Sequence, residues 1–470
     1  MDEGARAVMA ALEAAGFEAY AVGGCVRDLL MGRVPHDWDI TTSAAPEEIL
    51  SVLSGKGWKA VDVGGKSFGV IVAVLGGSSY EIATFRTEVY GADSHRPEKV
   101  HFTGSLREDL ARRDFTVNAM ALDRDGVVYD YFGGERDLRK KVLRTVGDPA
   151  ERFSEDALRL FRACRFLGTL DFMAAPSLVG AMKGAFPRVA GLSAERVRQE
   201  VNRLLMSDHP GRGLDLLVRS GLGECSCRIR ENGADRPMAI LPELSHLVDL
   251  PQMKEYHKYD AWYHTLAVVE ATPKELILRW AALLHDVGKG LPGVRHVEGE
   301  TITDYGHDRE GARLADALLA RWEMPSWFRR RVVWLVENHM KFHYYANCEE
   351  ADVGRWVRRL AAEKAFPTQK ELVEAIREET LLCKADIIGC GRPLSATEGH
   401  EAFGRCMMDL ARMMPVTTKD LSYDRRTIDA LGPLVGEGME NLLRRVQSGA
   451  LPNEADALFA AAERFRKRRS

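Results

Sequence analysis

The hydrophobic pattern of this chain changes period near residue 150, and that change constrains what it can fold into more than any other feature. Before it, EAYAVGG, DWDITT, FGVIVAVL and YEIATFRT read as short strands, with CVRDLLMG as a helix between the first two. After it, apolar residues recur with helical spacing in SEDALRLFRACRFLG, SAERVRQEVNRLLM and ELILRWAALLHDVGK. The expected plan is an α/β head followed by a mostly α-helical body. At 470 residues the chain is too long for one ordinary core, so roughly two to four domains are expected. There is no short-period repeat and no low-complexity segment.

Composition removes several classes of function. With 46% hydrophobic and 29% charged residues the chain has the profile of a soluble globular protein. No apolar run reaches the ~18 residues of a membrane span. The start, MDEGARAVMAALEAAGF, lacks the basic-then-apolar order of a secretion signal. Eight cysteines are scattered, and Cys225 and Cys227 are too sparse for a zinc site. A reducing, cytoplasmic setting is therefore expected. A net charge of −4 argues against coating DNA, and no DNA partner is expected, but a local basic surface for RNA remains open. The basic end ERFRKRRS is either a solvated tail or a nucleic-acid contact.

Within the head, PHDWDITT places Asp37 and Asp39 one residue apart in a short apolar run. Residues two apart in a strand face the same side, so both carboxylates point one way and Trp38 turns toward the core. Like charges held close repel unless a cation lies between them. Hard oxygen ligands in this arrangement suit Mg²⁺. Glu81, in the strand pattern SYEIATF, is the candidate third carboxylate. Magnesium on three acids of a small sheet is a centre for joining a hydroxyl to a nucleoside triphosphate. The preceding AVGGCVRD reads as a strand, the pair Gly23-Gly24, and a helix start. Glycines there let the backbone approach phosphate, and the helix N-terminus offers free N–H groups. Arg27, in the first turn, can clamp a triphosphate oxygen.

The colinear order GGCVRDLLMGRVPHDWDITTSA, LREDLARRDFTVNAMAL and YDYFGGERDLRKKVLRTVGDPAERFSEDALRLFRACRF resembles the bacterial class II tRNA nucleotidyltransferases. These are the CCA-adding enzymes of the DNA polymerase beta nucleotidyltransferase superfamily. The resemblance covers roughly residues 18 to 215. It implies an α/β nucleotidyltransferase head that adds CCA, without a template, to tRNA lacking its 3′ end, using CTP, ATP and Mg²⁺. It implies nucleotide-binding roles for Gly24 and Arg27 and metal-ligand roles for Asp37 and Asp39. It also implies a nucleotide contact for Arg113, with Asp114 and Asn118 supporting sugar and phosphates. Asp156, Arg159, Arg162 and Arg165 match the family's nucleotide-recognition helix.

The chemistry of that helix is arguable separately. Asp156 and Arg159 are three residues apart, neighbours on one helical face. A carboxylate accepts hydrogen bonds and a guanidinium donates them. Cytosine and adenine both offer an exocyclic amine beside a ring-nitrogen acceptor, whereas guanine and uracil reverse that pattern. The same residues also allow a plain ion pair from Glu155 to Arg159. Arg162 and Arg165 continue on the same side, within reach of triphosphate or primer phosphate. The polar stretch FRTEVYGADSHRPEKVHF, residues 85–102, reads as a mobile loop. Family members that add only CC tend to lack such a loop, so full CCA addition or A addition alone is implied. Poly(A) polymerases share the head and usually carry proline after the recognition aspartate; here Ala157 follows Asp156.

A second constellation lies in the body. WYHTLAVVE contains His264, AALLHDVGKG contains His285 and Asp286, and LLCKADIIGC contains Asp386. The order resembles the HD metal-dependent phosphohydrolase domain. Imidazole and carboxylate together suit Mg²⁺, Mn²⁺, Fe²⁺, Co²⁺ or Ni²⁺. His307 and His339 are candidates for a second metal, and Lys289 for neutralising phosphate. The rival readings are a phosphohydrolase whose head only binds nucleotide, and an HD segment serving as a spacer. The expected division is a head over 1–145, a helical neck over 146–220, and a linker over 221–255. An HD domain over 256–400 and a helical, tRNA-binding tail over 401–470 complete it.

Overall fold

The alternating apolar residues of the head pair into a seven-stranded mixed sheet. The computed structural model describes residues 1–63, 69–89, 91, 99–231 and 233–469, in two compact units, Met1–Ser245 and His246–Ser470. In chain order the first strands are β1 (Ala19–Val22), β2 (Asp39–Thr42), β3 (Lys59–Asp62), β4 (Val70–Leu75) and β5 (Ser78–Thr84). They are followed by β6 (Arg86–Val89), β7 (Lys99–Phe102), β8 (Ala121–Leu122) and β9 (Val128–Tyr129). The sheet order is β3-β4-β5-β2-β1-β8-β9. β1 runs antiparallel to β2 with Val22 opposite Asp39, and β2 runs parallel to β5 with Asp39 opposite Glu81. The end of β1, the start of β2 and the middle of β5 thus lie level across three neighbouring strands.

Burial explains why the strands hold this register. Trp38, Ile40, Ile71 and Ile82 pack in one cluster with Val8, Met9 and Leu12 of the helix Glu3–Ala14 and with Ile49 and Leu53 of the helix Pro46–Gly55. A slip of one residue would turn Ile40 out and Asp39 in, which the core forbids. Asp2 caps the first helix by accepting the Ala5 N–H at 2.9 Å, and Pro46 opens the second at the position where a missing N–H costs least.

The structure corrects four expectations. The stretch 85–102 is not simply a loop: β6 and β7 pair antiparallel as a hairpin, while its residues 90 and 92–98 lie outside the described residues. The recognition helix is interrupted, ending at Glu155 and restarting at Leu158. Asp156 between them is extended (φ −143°, ψ 105°), and its Oδ1 accepts the Leu158 N–H at 3.0 Å. A short acid that bonds the backbone two residues on competes with helix continuation. The segment expected as a linker carries the antiparallel hairpin Ser226–Glu231/Ala234–Ala239. The expected boundary at residue 400 falls inside the helix Glu398–Met413, whose Met407 and Ala411 share a core with Phe342, Leu372 and Ile376.

The second unit is helical apart from the hairpin Arg295–Glu298/Thr301–Asp304. Its last helices, Arg425–Leu431, Val435–Gln447 and Ala455–Lys467, enclose a smaller core of Leu431, Leu442, Leu443 and Leu458. Among the described residues no helix is long and apolar enough to cross a membrane.

Candidate functional site

The head site begins where β1 ends. Gly23 sits at φ 82°, and a Cβ built on it would lie 2.9 Å from Arg113 Nη1. Only glycine lets the chain turn there into the helix Gly24–Leu30 while Arg113 lies across the turn. Gly23→Ala should cost about 1–3 kcal/mol and displace Arg113. A thermal melt with nucleotide-binding measurement checks this, and an unchanged melting temperature contradicts it.

Asp39, level with Val22, lines a cleft of about 460 Å³ together with Gly23, Gly24, Arg27 and Arg113. Asp37 lies just before β2, not within it; Asp37 and Glu81 are exposed, while Trp38 is buried. Burial raises the Asp39 pKa, Glu81 raises it further, Arg113 opposes, and Asp37 adds to the rise. The acids therefore repel one another without full compensation, which is the electrostatic condition for a divalent cation. The structure places the three acids as neighbours. Among the described residues, however, sets of three metal-competent groups drawn within 4.8 Å of one another lie in the second unit.

The far wall of the cleft is a network of buried and half-buried polar groups. Arg27 donates to Asn118 Oδ1 at 2.6 Å and to Asp28 at 2.9 Å. Asn118 donates to Asp114 Oδ1 at 3.2 Å, and Arg162 grips Asp114 Oδ2 through Nε and Nη2 at 2.8 and 2.6 Å. Burial opposes its charge, but Arg162 and Asn118 hold the Asp114 pKa down to about 2. Asp114 is thus an anchor that fixes the two arginines facing the cleft. Arg165 is held by Glu200 at 2.6 Å and lies 4.1 Å over the Phe166 ring.

Asp156 and Arg159 both line this cleft but do not pair. Arg159 is bound to Glu155 Oε2 at 2.5 Å and to the carbonyls of Arg152 and Arg112 at 3.0 and 3.1 Å. The ion pair at i,i+4 is therefore formed. Asp156 Oδ2 lies 3.5 Å from Arg196. Burial raises the Asp156 pKa against the pull of Arg196. Arg196 and Phe166 were not singled out from the sequence; Arg196 arrives from the helix Ala194–Leu205, and nothing in its local pattern points at the cleft.

The second site gathers the body histidines around Asp286. His264 stands on the helix Ala261–Ala271, His285 and Asp286 just beyond the helix Leu276–Leu284, and Asp386 on the helix Gln369–Gly389. His264 Nε2 is 3.2 Å from His285 Nε2, 3.4 Å from Asp286 Oδ2 and 3.1 Å from Asp386 Oδ1. His307 Nε2 is 3.3 Å from His339 Nε2 and 3.3 Å from Asp286 Oδ1. All six side chains converge, with Asp286 facing both histidine pairs. The HDVGK motif explains part of this. A Cβ on Gly288 would lie 2.2 Å from the His307 carbonyl, so only glycine lets the start of the helix His307–Arg321 come so close.

The tautomers decide what the site can hold. Nδ1 of His285, His307 and His339 lies 2.8, 2.7 and 2.7 Å from the carbonyls of Ala282, Asp304 and Val336. Each Nδ1 must therefore carry the proton, leaving a lone pair on Nε2. The Nε2 atoms of His307 and His339 then face each other at 3.3 Å; burial opposes a charge on His307, but Asp286 raises its pKa. Two neutral rings in this arrangement repel, and either a proton on His307 Nε2 or a metal ion between the two nitrogens relieves it. Two sets fit a metal, His264/His285/Asp386 and Asp286/His307/His339. Burial opposes the charge of Asp286, yet His285 and Lys289, whose Nζ is 2.7 Å away, hold its pKa well below the usual range. A cavity of about 510 Å³ opens beside these groups. His343 and His400, not singled out from the sequence, lie on it: His343 Nε2 is 2.9 Å from Asp386 Oδ2 and Nδ1 is 2.9 Å from His400.

Comparison with known proteins finds matches in three regions. The Poly A polymerase head domain model matches residues 19–144. A probable RNA- and SrmB-binding site of polymerase A matches 171–225, and the HD domain model matches 257–388. A CCA-adding enzyme of Bacillus licheniformis is 48% identical over 207 residues, 44% of this chain and 51% of that one. That alignment therefore spans about half of the relative's length. A CCA-adding enzyme of Limosilactobacillus reuteri is 38% identical over 307 residues, 64% of this chain and 73% of that one. One from Enterococcus faecalis is 35% identical over 68% of this chain and 78% of its own length. The crystal structure of the Bacillus stearothermophilus CCA-adding enzyme in complex with CTP superposes with a TM-score of 0.66 at 28% identity, covering 100% of this chain and 99% of that one. A nucleotidyltransferase head and a helical body with an HD domain are thus joined in one polypeptide, and the chain belongs to the family of CCA-adding enzymes, metal-dependent tRNA nucleotidyltransferases.

Proposed function

We propose that this chain completes tRNA 3′ ends by template-independent addition of C, C and A from CTP and ATP, in the cytoplasm. The observation that carries the reading is the level placement of Asp39 between Val22 and Glu81, with Asp37 beside it and Gly23 opening the cleft. Mg²⁺ held by Asp37 and Asp39, with Glu81 beside them, would supply Lewis-acid polarisation of the α-phosphate and activation of the primer hydroxyl. Arg27 and Arg162, immobilised by Asn118 and Asp114, offer donors to the triphosphate with little further loss of side-chain freedom. Arg113 and Gly24 border the same space.

Asp156 is the base-reading acceptor in this account. Its Oδ1 is spent on the Leu158 N–H, so Oδ2, beside Arg196, is left to take the amine of cytosine or adenine. Arg159, held by Glu155 and by the Arg152 and Arg112 carbonyls, would donate to the ring nitrogen by exchanging one of these bonds. Asp156→Ala should lower the preference for CTP over UTP by roughly 100-fold, because the wrong base no longer leaves a buried acceptor unmatched. Single-nucleotide incorporation on a tRNA transcript measures this. Unchanged selectivity would remove Asp156 from base reading.

The second site supports a separate metal-dependent phosphohydrolase activity, suited to trimming phosphate or 2′,3′-cyclic phosphate from damaged tRNA 3′ ends. The convergence of two buried ligand sets, His264/His285/Asp386 and Asp286/His307/His339, favours it over a spacer role. His264, His285 and Asp386 would hold one ion and His307 and His339 another, with Asp286 between them, and Mn²⁺ or Ni²⁺ suits this imidazole-rich set best. Lys289, on the border of the same cavity and held by Asp286 and Gln252, would steady a phosphoryl oxygen.

A further inference from the structure

A third ligand set adjoins the second site and includes a thiol. Cys390 Sγ lies 3.4 Å from His257 Nδ1, and the His257 and His264 rings stand 4.9 Å apart at 77°. The ligand atoms of His257, His264 and Cys390 all fall within 4.8 Å of one another. Tetrahedral zinc with Zn–S of about 2.3 Å and Zn–N of about 2.0 Å needs an S···N edge of roughly 3.5 Å, so the observed spacing is already that of a ligand pair.

The positions are built rather than incidental. The Lys258 N–H donates to the Cys390 carbonyl at 3.3 Å, which ties the His257 loop to the end of the helix Gln369–Gly389. His257 and Cys390 both border the 510 Å³ cavity, which leaves room for a fourth, solvent-derived ligand. His264 is wholly buried; its Nε2 faces Asp286, Asp386 and His285, and the Cys390 side chain is a further hydrogen-bonding neighbour of the ring. The Cys390 sulfur thus stands within reach of both imidazoles, as a ligand shared with them by one cation would.

We propose that Cys390, His257 and His264 form a binding site for a soft divalent cation of the zinc type, separate from the carboxylate-bearing centre and sharing His264 with it. The hard-metal centre offers imidazole and carboxylate, whereas the thiolate selects a softer ion. Binding forms the Cys390–metal bond and releases the thiol proton to solvent. A neutral imidazole has one lone pair, so His264 serves either the carboxylate centre through Nε2 or the thiolate site through Nδ1. Occupation of the thiolate site therefore withdraws a ligand from the other centre. The site itself does not depend on the hydrolase reading; only this last consequence does.

Co²⁺ is the probe, because a cobalt–thiolate bond gives a near-ultraviolet charge-transfer absorption that imidazole and carboxylate ligands do not. Titration of the whole protein with Co²⁺ should produce that band. Cys390→Ser should abolish it, and His257→Gln should weaken Co²⁺ binding by at least about tenfold, the least that loss of a supporting metal partner costs. Cys406→Ser, an exposed thiol on the helix Glu398–Met413, should leave the band unchanged. Absence of the band in the parent protein, or its survival in Cys390→Ser, would overturn the proposal. Should Cys390→Ser fail to fold, the His257→Gln titration decides, an unchanged affinity overturning it. A protein with no hydrolase activity would still show the band, so the two readings fail separately.

Discussion

Asp39→Asn should fold normally and lose nucleotide addition by at least about 1000-fold, roughly 4 kcal/mol of transition-state stabilisation. Asparagine keeps the shape and removes the charge that faces the cation. The variant should also melt no lower than the parent at neutral pH. The folded-state pKa of Asp39 is raised, by burial first and by Glu81 and Asp37 besides. A carboxylate with a raised folded pKa costs stability as it ionises above its unfolded value, so its ionised form is the destabilising one at neutral pH. Mg²⁺ with CTP should raise the melting temperature of the parent and not of the variant. Rapid-quench incorporation and differential scanning fluorimetry measure the two halves. Full activity in the variant would remove Asp39 from the metal site. A large loss of stability without metal would mean that the acids are structurally paired rather than repelling.

Asp286→Asn should abolish metal-dependent phosphoester hydrolysis, by about 1000-fold or more, and leave nucleotide addition intact. Asp286 lies within 3.4 Å of His264, His285 and His307, so its loss removes a ligand from the His307/His339 set and a negative charge beside the His264/His285/Asp386 set. It also leaves Lys289 Nζ, 2.7 Å away and buried, with Gln252 Oε1 at 2.8 Å as its remaining neutral partner. Breaking a buried pair on one side costs about 3–5 kcal/mol, so the metal-free variant should melt well below the parent. Hydrolysis of a nitrophenyl phosphodiester with Mn²⁺ or Ni²⁺, beside Mn²⁺ binding by electron paramagnetic resonance, checks the first part. A parent protein inactive with every divalent metal would contradict the hydrolase reading, while metal binding alone would leave a structural centre.

How far the sequence carried depends on the distance over which each signal acts. The Gly23-Gly24 turn is local and was readable, because backbone freedom is a property of a few residues; the strand period read for Asp37 and Asp39 reaches only Asp39, since Asp37 precedes the strand. Glu81 was a reasonable neighbour, but its parallel register opposite Asp39 depends on how Ile40 and Ile82 pack into one core. The break at Asp156 escaped because helical periodicity continues on either side of it. Only the extended backbone shows that the acid bonds the Leu158 N–H instead of propagating the turn. Arg196 reaches Asp156 from 40 residues away, and Glu200 reaches Arg165 from 35, distances at which no spacing rule operates. In the body, the pattern of His264, His285, Asp286 and Asp386 was legible. The role of Gly288 in admitting the His307 backbone, the pairing of His343 with Asp386, and the approach of His257 to Cys390 were not. Each joins segments that helix packing alone brings together.

The central claim is tested most directly by supplying Mg²⁺, CTP and ATP to three tRNA transcripts, ending before CCA, after C and after CC. All three should be extended to CCA and no further, and the double variant Asp37→Ala/Asp39→Ala should extend none. Addition of a single A to the CC-ended transcript alone would make this an A-adding specialist, and unlimited A tails on any RNA would make it a poly(A) polymerase; either result contradicts the account.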